Sequence, residues 1–177
     1  MIMLQVDTFV FTFAPTVAAA QIYDTWKHYL QVWNATGGRK AVDIVAVESA
    51  VPPVIAWLIE AKDFRIITNP QKSSNLSTLA QTVADKVRDT QSGLADAALH
   101  AADLSEQSFA ANAVAATSVR IALLLEPHVG PHTALFPAGF SASVLQKLRQ
   151  LVKTIDPNPL VLNLANTASS GVPWSVV

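Results

Sequence analysis

The sequence predicts one domain of the α/β class, with a mixed central β-sheet flanked by helices. Its 177 residues are the length of a single domain, and a hydrophobic content of 51% can form a sizeable core. Short runs rich in β-branched and aromatic residues alternate with longer segments of helical periodicity. This order predicts an antiparallel hairpin followed by strands that helices connect in parallel.

In the first half of the chain, residues 4–13 alternate loosely and predict a strand. A helix is predicted to open after Pro15 and to cover 16–33, because its later apolar residues follow three- and four-residue spacing. Strands are predicted at 42–47 and 55–67. Pro52-Pro53 marks the turn between them.

The second half predicts a long amphipathic helix over 75–100 and a short alanine-rich helix over 106–117. Residues 119–125 form a continuous apolar run, which is typical of a strand buried on both faces. A helix after Gly139 and a strand at 159–164 complete the pattern. All 177 residues are expected to form one domain.

Charge and composition exclude several functional classes. Twelve basic against thirteen acidic residues give a net charge of -1, which argues against a polybasic binder. The absence of cysteine excludes disulfides, thiolate catalysis and cysteine-ligated metals. No apolar run is long enough to span a membrane, and Asp7 interrupts the first one, so we expect no membrane partner, no signal peptide and a cytoplasmic location.

The segment that points to chemistry is the predicted hairpin. Glu60 and Lys62 share one face of a strand, since alternate side chains point to the same side. If Glu48 and Ile55 close the hairpin, Asp43 lies directly opposite Glu60. Two opposed carboxylates repel each other and require a cation, either the lysine or a divalent metal. Oxygen ligands of this kind suit Mg²⁺ or Mn²⁺.

Asp43, followed after 16 residues by Glu60-Ala61-Lys62, resembles the signature of the PD-(D/E)xK nuclease superfamily. The order of elements over residues 16–165 is similar as well. The resemblance implies a restriction-endonuclease-like core and Mg²⁺- or Mn²⁺-dependent hydrolysis of phosphodiester bonds, with DNA as the expected substrate. It also implies that Asp43, Glu60 and the Ala61 carbonyl bind the metal. Lys62 would position the attacking water.

The sequence departs from the family pattern at three places. Val42 stands where many members have proline, and the first predicted helix offers Asp24 but no glutamate as an extra ligand. Gln81 lies at a distance from Lys62 comparable to a family glutamine, but no tyrosine follows it. Two alternatives therefore stay open. The charged residues could form a structural ion pair, or the chain could be an inactive nuclease-like module that binds nucleic acid or a protein.

Four further residues are predicted to contact nucleic acid beside the site. They are Arg65, Lys72, Gln81 and Lys86. A homodimer is also expected, because cutting two strands is simplest with two copies of a small core.

A second possible metal site is Glu126 with His128 and His132, although loop histidines are more often incidental. Asp63 is expected on the opposite face of its strand from Glu60, in a surface ion pair. Glu48 is expected to be solvated beside the turn.

Overall fold

The protein is built on two β-sheets, of three and five strands. The computed structural model describes residues 1–49, 52–65, 78–128 and 135–177. The strands are β1 (Ile2–Val6), β2 (Phe9–Phe13), β3 (Val17–Ile22), β4 (Ile44–Glu48), β5 (Ile55–Asp63), β6 (Ser118–Glu126), β7 (Leu160–Leu162) and β8 (Trp174–Val176).

The five-stranded sheet has the order β3-β4-β5-β6-β7 and is mixed. β3, β4 and β5 pair in antiparallel fashion, whereas β5, β6 and β7 run parallel. β5 is therefore the strand at which the sheet changes direction. The predicted α/β class with a mixed sheet is confirmed.

The predicted hairpin register is confirmed as well. Ile44 pairs with Ile59 and Glu48 with Ile55 in the β4–β5 ladder. Asp43 immediately precedes β4, so continuing this register places it opposite Glu60.

Four α-helices lie in the described part of the chain, and the first three pack on one face of the five-stranded sheet. They are α1 (Leu79–His100), α2 (Leu104–Val114), α3 (Phe140–Val152) and the short α4 (Leu164–Thr167). Val83 and Val87 of α1 share a buried cluster with Val45, Leu58 and Ile121 of the sheet. The helical stripe and the strand alternation thus form one apolar layer.

The other face of this sheet is covered by the three-stranded sheet, of order β1-β2-β8. Phe9, Phe11 and Phe13 of β2 are buried against residues such as Trp57. The sequence predicted helices around the central sheet. Among the described residues the packed helices lie on one face, and aromatic β-strands cover the other.

Two predicted elements were wrong. Residues 4–13 form a hairpin rather than one strand, since the chain turns at Asp7, whose φ of 50° is left-handed. The predicted helix over 16–33 begins instead as strand β3, which pairs with β4. The alanines of β3 favour a helix by themselves, but the ladder with β4 overrides that preference. The helical residues there are a 3₁₀ turn, Tyr23–Thr25, and a segment over 27–33 that ends in the π-helix Tyr29–Trp33.

The remaining elements agree with prediction apart from their ends. The start of the predicted helix 75–100 and the end of the predicted strand 55–67 lie outside the described residues. The alanine-rich helix begins earlier than predicted because Asp103 caps it, its side chain accepting a hydrogen bond from the Ser105 amide. None of the described helices combines the length and apolar character needed to cross a membrane.

Candidate active site

An acid pair lies where β4 begins opposite the carboxyl end of β5. Asp43 and Glu60 are 7% and 1% exposed, respectively. Asp43 Oδ2 accepts a hydrogen bond of 2.8 Å from the Ala61 amide, which ties its carboxylate to β5. Two buried carboxylates therefore share one face of the sheet, as the register requires.

Helix α1 fixes the segment that leads into β4. Thr90 Oγ1 accepts a hydrogen bond of 3.0 Å from the Val42 amide, and Asp89 Oδ2 accepts one of 2.8 Å from the Lys40 amide. These contacts satisfy backbone donors that lie outside the ladder. They hold Asp43 at a defined position between the sheet and α1.

Two ammonium groups meet the acid pair. Lys62 Nζ lies 2.5 Å, and Lys86 Nζ 2.7 Å, from the same Glu60 oxygen, Oε1. Lys86 Nζ is also 3.6 Å from Asp43 Oδ1. Lys62 additionally donates to the Ala61 carbonyl at 3.0 Å.

The second oxygen of Glu60 is different. Oε2 is buried and has no hydrogen-bond partner among the described residues. A buried acceptor without a donor is costly, so such an atom marks a place where a cation or a water can bind. Asp43 Oδ1 faces the same region, with Lys86 at ion-pair distance.

The donor set suits a hard divalent cation. Two carboxylates and the Ala61 carbonyl are oxygen ligands, and Glu60 Oε2 is an acceptor still to be satisfied. In the described ranges no group of three or more histidine, aspartate or glutamate side chains is arranged to hold a metal. Any ion here would depend on the acid pair, the carbonyl and water, which Mg²⁺ commonly retains.

Burial and the neighbouring Asp43 carboxylate raise the pKa of Glu60, and the two lysines oppose that rise. The short contacts to Oε1 are those of an ionised carboxylate. Burial acts to lower the pKa of Lys62, but Glu60 and then Asp43 outweigh it, so this pKa is raised. Lys62 is therefore a fixed cation at neutral pH rather than a base.

A third acid borders the site. Asp24 lies in the 3₁₀ turn, whose Tyr23 amide donates to the Asp43 carbonyl at 2.9 Å. Burial and then the Asp43 carboxylate raise the pKa of Asp24, whereas Lys86 and Lys62 act to lower it. The charges of the site therefore shift the pKa of Asp24, although among the described residues no side-chain contact joins Asp24 to Asp43, Lys62 or Lys86.

The residues predicted to contact nucleic acid do not form one group. Arg65 follows β5 and turns to the other face of the sheet, where it pairs with Asp63 and lies 5.2 Å over the Phe9 ring, so it does not join the acid pair. Gln81 donates to Asp85 on its own helix rather than joining the acid pair. Lys72 lies outside the described residues. Of the three that the structure describes, Lys86 reaches the site.

The other expectations are resolved in part. Asp63 lies on the face opposite Glu60 and pairs with Arg65 at 2.7 Å, as predicted. Glu48 accepts a hydrogen bond of 3.0 Å from the Trp57 indole, so it is not simply solvated. Glu126 accepts from the Leu164 amide, while a ring nitrogen of His128 lies 3.2 Å from the Phe64 carbonyl. Their proposed partner His132 lies outside the described residues.

Sequence reasoning missed the direct contact of Lys86 with the acids, and it named Asp24 only as the acid that the first predicted helix offers in place of a family glutamate. Lys86 adjoins Val83 and Val87 on the helix, so its place at the border of the apolar stripe was a usable signal. Asp24 was harder to place, because the strand β3 that positions it was predicted as helix.

A comparison with curated proteins finds a distant similarity. The chain is 27% identical, over 192 aligned positions, to a cysteine–tRNA ligase of Neisseria meningitidis serogroup A. The alignment covers 87% of the chain but 27% of the ligase, so the chain spans about a quarter of that relative. No family model matches the chain, and no solved structure matches it significantly.

Proposed function

We propose that the protein is a Mg²⁺- or Mn²⁺-dependent phosphodiesterase that acts on nucleic acid, most directly DNA, with a restriction-endonuclease-like core. The observation that carries this proposal is the unpartnered, buried Oε2 of Glu60 beside Asp43, with the charged Lys62 on the same face. A structural ion pair has no need of a buried acceptor that is left open.

In this proposal Asp43, Glu60 and the Ala61 carbonyl hold the divalent ion. Once bound, the ion would supply Lewis-acid stabilisation of the negative charge that develops on phosphate oxygens. Asp43 is held in place by the Ala61 amide and Glu60 by its two lysines. The ligands are thus oriented before any substrate arrives.

Lys62 would orient the attacking water and offset charge on the phosphate. In the hydrolysis, the water oxygen forms a bond to phosphorus while the bond from phosphorus to one sugar oxygen breaks. The water proton passes to solvent and the departing sugar oxygen takes up a proton. Because Lys62 is charged, its role is positional and electrostatic.

The test is cleavage of plasmid DNA, single-stranded DNA and tRNA with millimolar Mg²⁺ or Mn²⁺. The wild type should cut at least one substrate. Glu60→Gln and Lys62→Met should each lower the rate on the order of 100-fold, the scale for loss of an electrostatic group in an active site. Asp63→Asn is the matched control, since Asp63 follows Lys62 in β5 but faces the other way. Equal loss in the control and the site variants would contradict the proposal.

A second candidate is the nuclease-like module that binds nucleic acid without cutting it. It is favoured by the two lysines that already neutralise Glu60 and by a relative whose name specifies tRNA. Binding of tRNA or DNA that persists in Glu60→Gln and Lys62→Met, with no cleavage by the wild type, would select this candidate. The homodimer stays a prediction for the first candidate, because two sites would be needed to cut a duplex.

A further inference from the structure

We propose that Lys86 is an internal counter-ion that neutralises the acid pair when no divalent ion is bound and whose charge competes with the ion for that pair. Lys86 would then set the ion affinity of the site. The inference rests on the proposed function, since it concerns the same pair of carboxylates.

The position of Lys86 Nζ supports this role. It lies 2.7 Å from Glu60 Oε1 and 3.6 Å from Asp43 Oδ1, so a single ammonium lies near an oxygen of each acid. A Mg²⁺ ion contacts carboxylate oxygens at about 2.1 Å, closer than an ammonium can approach. A divalent ion held by both acids would therefore lie close to the Lys86 ammonium, and the repulsion between the two positive charges opposes its binding until Lys86 moves away.

Lys86 can move away from the acid pair more readily than Lys62 can. Lys62 has a second acceptor in the Ala61 carbonyl and lies on the same strand as Glu60. Among the described residues Lys86 contacts the two acids, and it extends from a helix on a flexible four-carbon stem. Its side chain keeps 19% exposure, so the ammonium has a path to water.

A displaced Lys86 would also have another acid to approach. Asp24 is close enough for the Lys86 charge to act on it. With Asp24 included, the site has three acids and two lysines, which leaves one net negative charge. Removal of the Lys86 charge would leave two, and a divalent ion would be attracted more strongly.

The experiment measures Mn²⁺ binding by electron paramagnetic resonance of the free ion, without substrate. Lys86→Met removes the charge and keeps much of the length. It should bind Mn²⁺ about tenfold more tightly than the wild type, a conservative scale for one charge lost next to the ligands. Its melting temperature without metal should be lower than that of the wild type, and Mn²⁺ should raise it by more.

Lys40→Met is the matched control. Lys40 also pairs with an acid of α1, lying 3.1 Å from Asp85 Oδ2, but outside the site. Its Mn²⁺ affinity should equal that of the wild type. Adding Glu60→Gln to Lys86→Met should abolish the tight binding, which would locate the ion at the acid pair. Lys86→Gln, which restores a polar head, provides a second variant if Lys86→Met folds poorly.

The outcomes separate the two proposals. Equal or weaker Mn²⁺ binding by Lys86→Met and Lys86→Gln, with clear binding by the wild type, overturns the counter-ion role and leaves the metal-dependent function intact. Absence of Mn²⁺ binding in the wild type and in both variants overturns both. Tighter binding in both variants, lost with Glu60→Gln, supports the counter-ion role.

Discussion

Two carboxylates of this protein are equally buried and differently satisfied. Glu60 and Asp156 are each 1% exposed. Asp156 Oδ2 accepts from the Ile121 amide at 2.8 Å and from Arg120 Nε at 3.3 Å, and its Oδ1 accepts from the Asn158 amide at 2.9 Å. Glu60 has two ammonium groups on one oxygen and, among the described residues, no donor on the other.

The difference separates a carboxylate that anchors the backbone from one that has an oxygen available to bind a ligand. Asp156, in the loop that follows α3, uses one oxygen for the Ile121 amide of β6 and the other for the Asn158 amide of its own loop, so both oxygens are satisfied. Glu60 contacts only side chains that can move, and it keeps one oxygen open. Burial alone therefore does not identify a functional carboxylate. The groups that donate hydrogen bonds to a carboxylate identify it as anchoring or as available.

The largest expected effect on stability follows from Asp156→Asn. The amide nitrogen of the new side chain would face a backbone N–H or the Arg120 guanidinium, so one buried hydrogen bond is lost and two donors oppose each other. We expect the free energy of unfolding to fall by about 2 kcal/mol. Urea denaturation measures this free energy. A loss as small as that expected for Glu60→Gln would show that the two acids do not differ in their contribution to stability.

Asp63 extends the comparison to an acid on the other face of β5. Arg65 hydrogen bonds, followed by the Thr8 hydroxyl, hold the pKa of Asp63 at about 2, against an ordinary value of 3.8. Because the folded-state pKa is depressed, the contribution to stability is full above pH 4 and is lost as the pH falls toward 2.

The size of that contribution should be about 1 kcal/mol, since the Arg65 side chain is 37% exposed and solvent screens the pair. Unfolding free energies of the wild type and Asp63→Asn, measured between pH 5 and pH 2 (an assay choice), should converge at the acid end. A constant difference across that range would show that Asp63 does not titrate with folding.

The smallest expected effect is that of Glu60→Gln. Burial and Asp43 raise the pKa of Glu60 in spite of the two lysines, so the charge of Glu60 does not stabilise the fold. The glutamine oxygen keeps an acceptor for the lysines, and no backbone amide is left unsatisfied. The free energy of unfolding without metal should change by no more than about 0.5 kcal/mol. A loss of the size expected for Asp156→Asn would show that Glu60 is an anchor, and would favour the structural ion pair over an active site.

The sequence predicted the hairpin register because the residues that determine this register lie close together in the chain. Glu48 and Ile55 flank a turn that Pro52-Pro53 marks, and a strand period of two then places Asp43 opposite Glu60. The buried strand β6 and the amphipathic α1 were recognisable for the same reason, since each pattern lies within one element.

Features that depend on contacts between distant segments were not predictable in this way. The alanines of β3 favour a helix when the sequence is considered alone. Their pairing with β4 makes them a strand. The position of Arg65, which pairs with Asp63 and lies over the Phe9 ring, depends on where β2 packs against the central sheet. The contact between Lys86 and Glu60 depends on the angle at which α1 crosses the sheet. One sequence does not specify that angle.

The aromatic layer between the sheets has a spectroscopic consequence. The Trp57 and Trp174 rings lie 4.9 Å apart, at an interplanar angle of 87°, and Trp174 belongs to β8. Trp26 and Trp33 are on the helical side of the central sheet. Two of the four indoles therefore report on the packing of β8 against β5, between the two sheets, and two on the layer that contains the acid pair. A red shift in tryptophan emission, assigned by single replacement of Trp57 or Trp174 with phenylalanine, would distinguish opening between the sheets from opening around α1 without any added label.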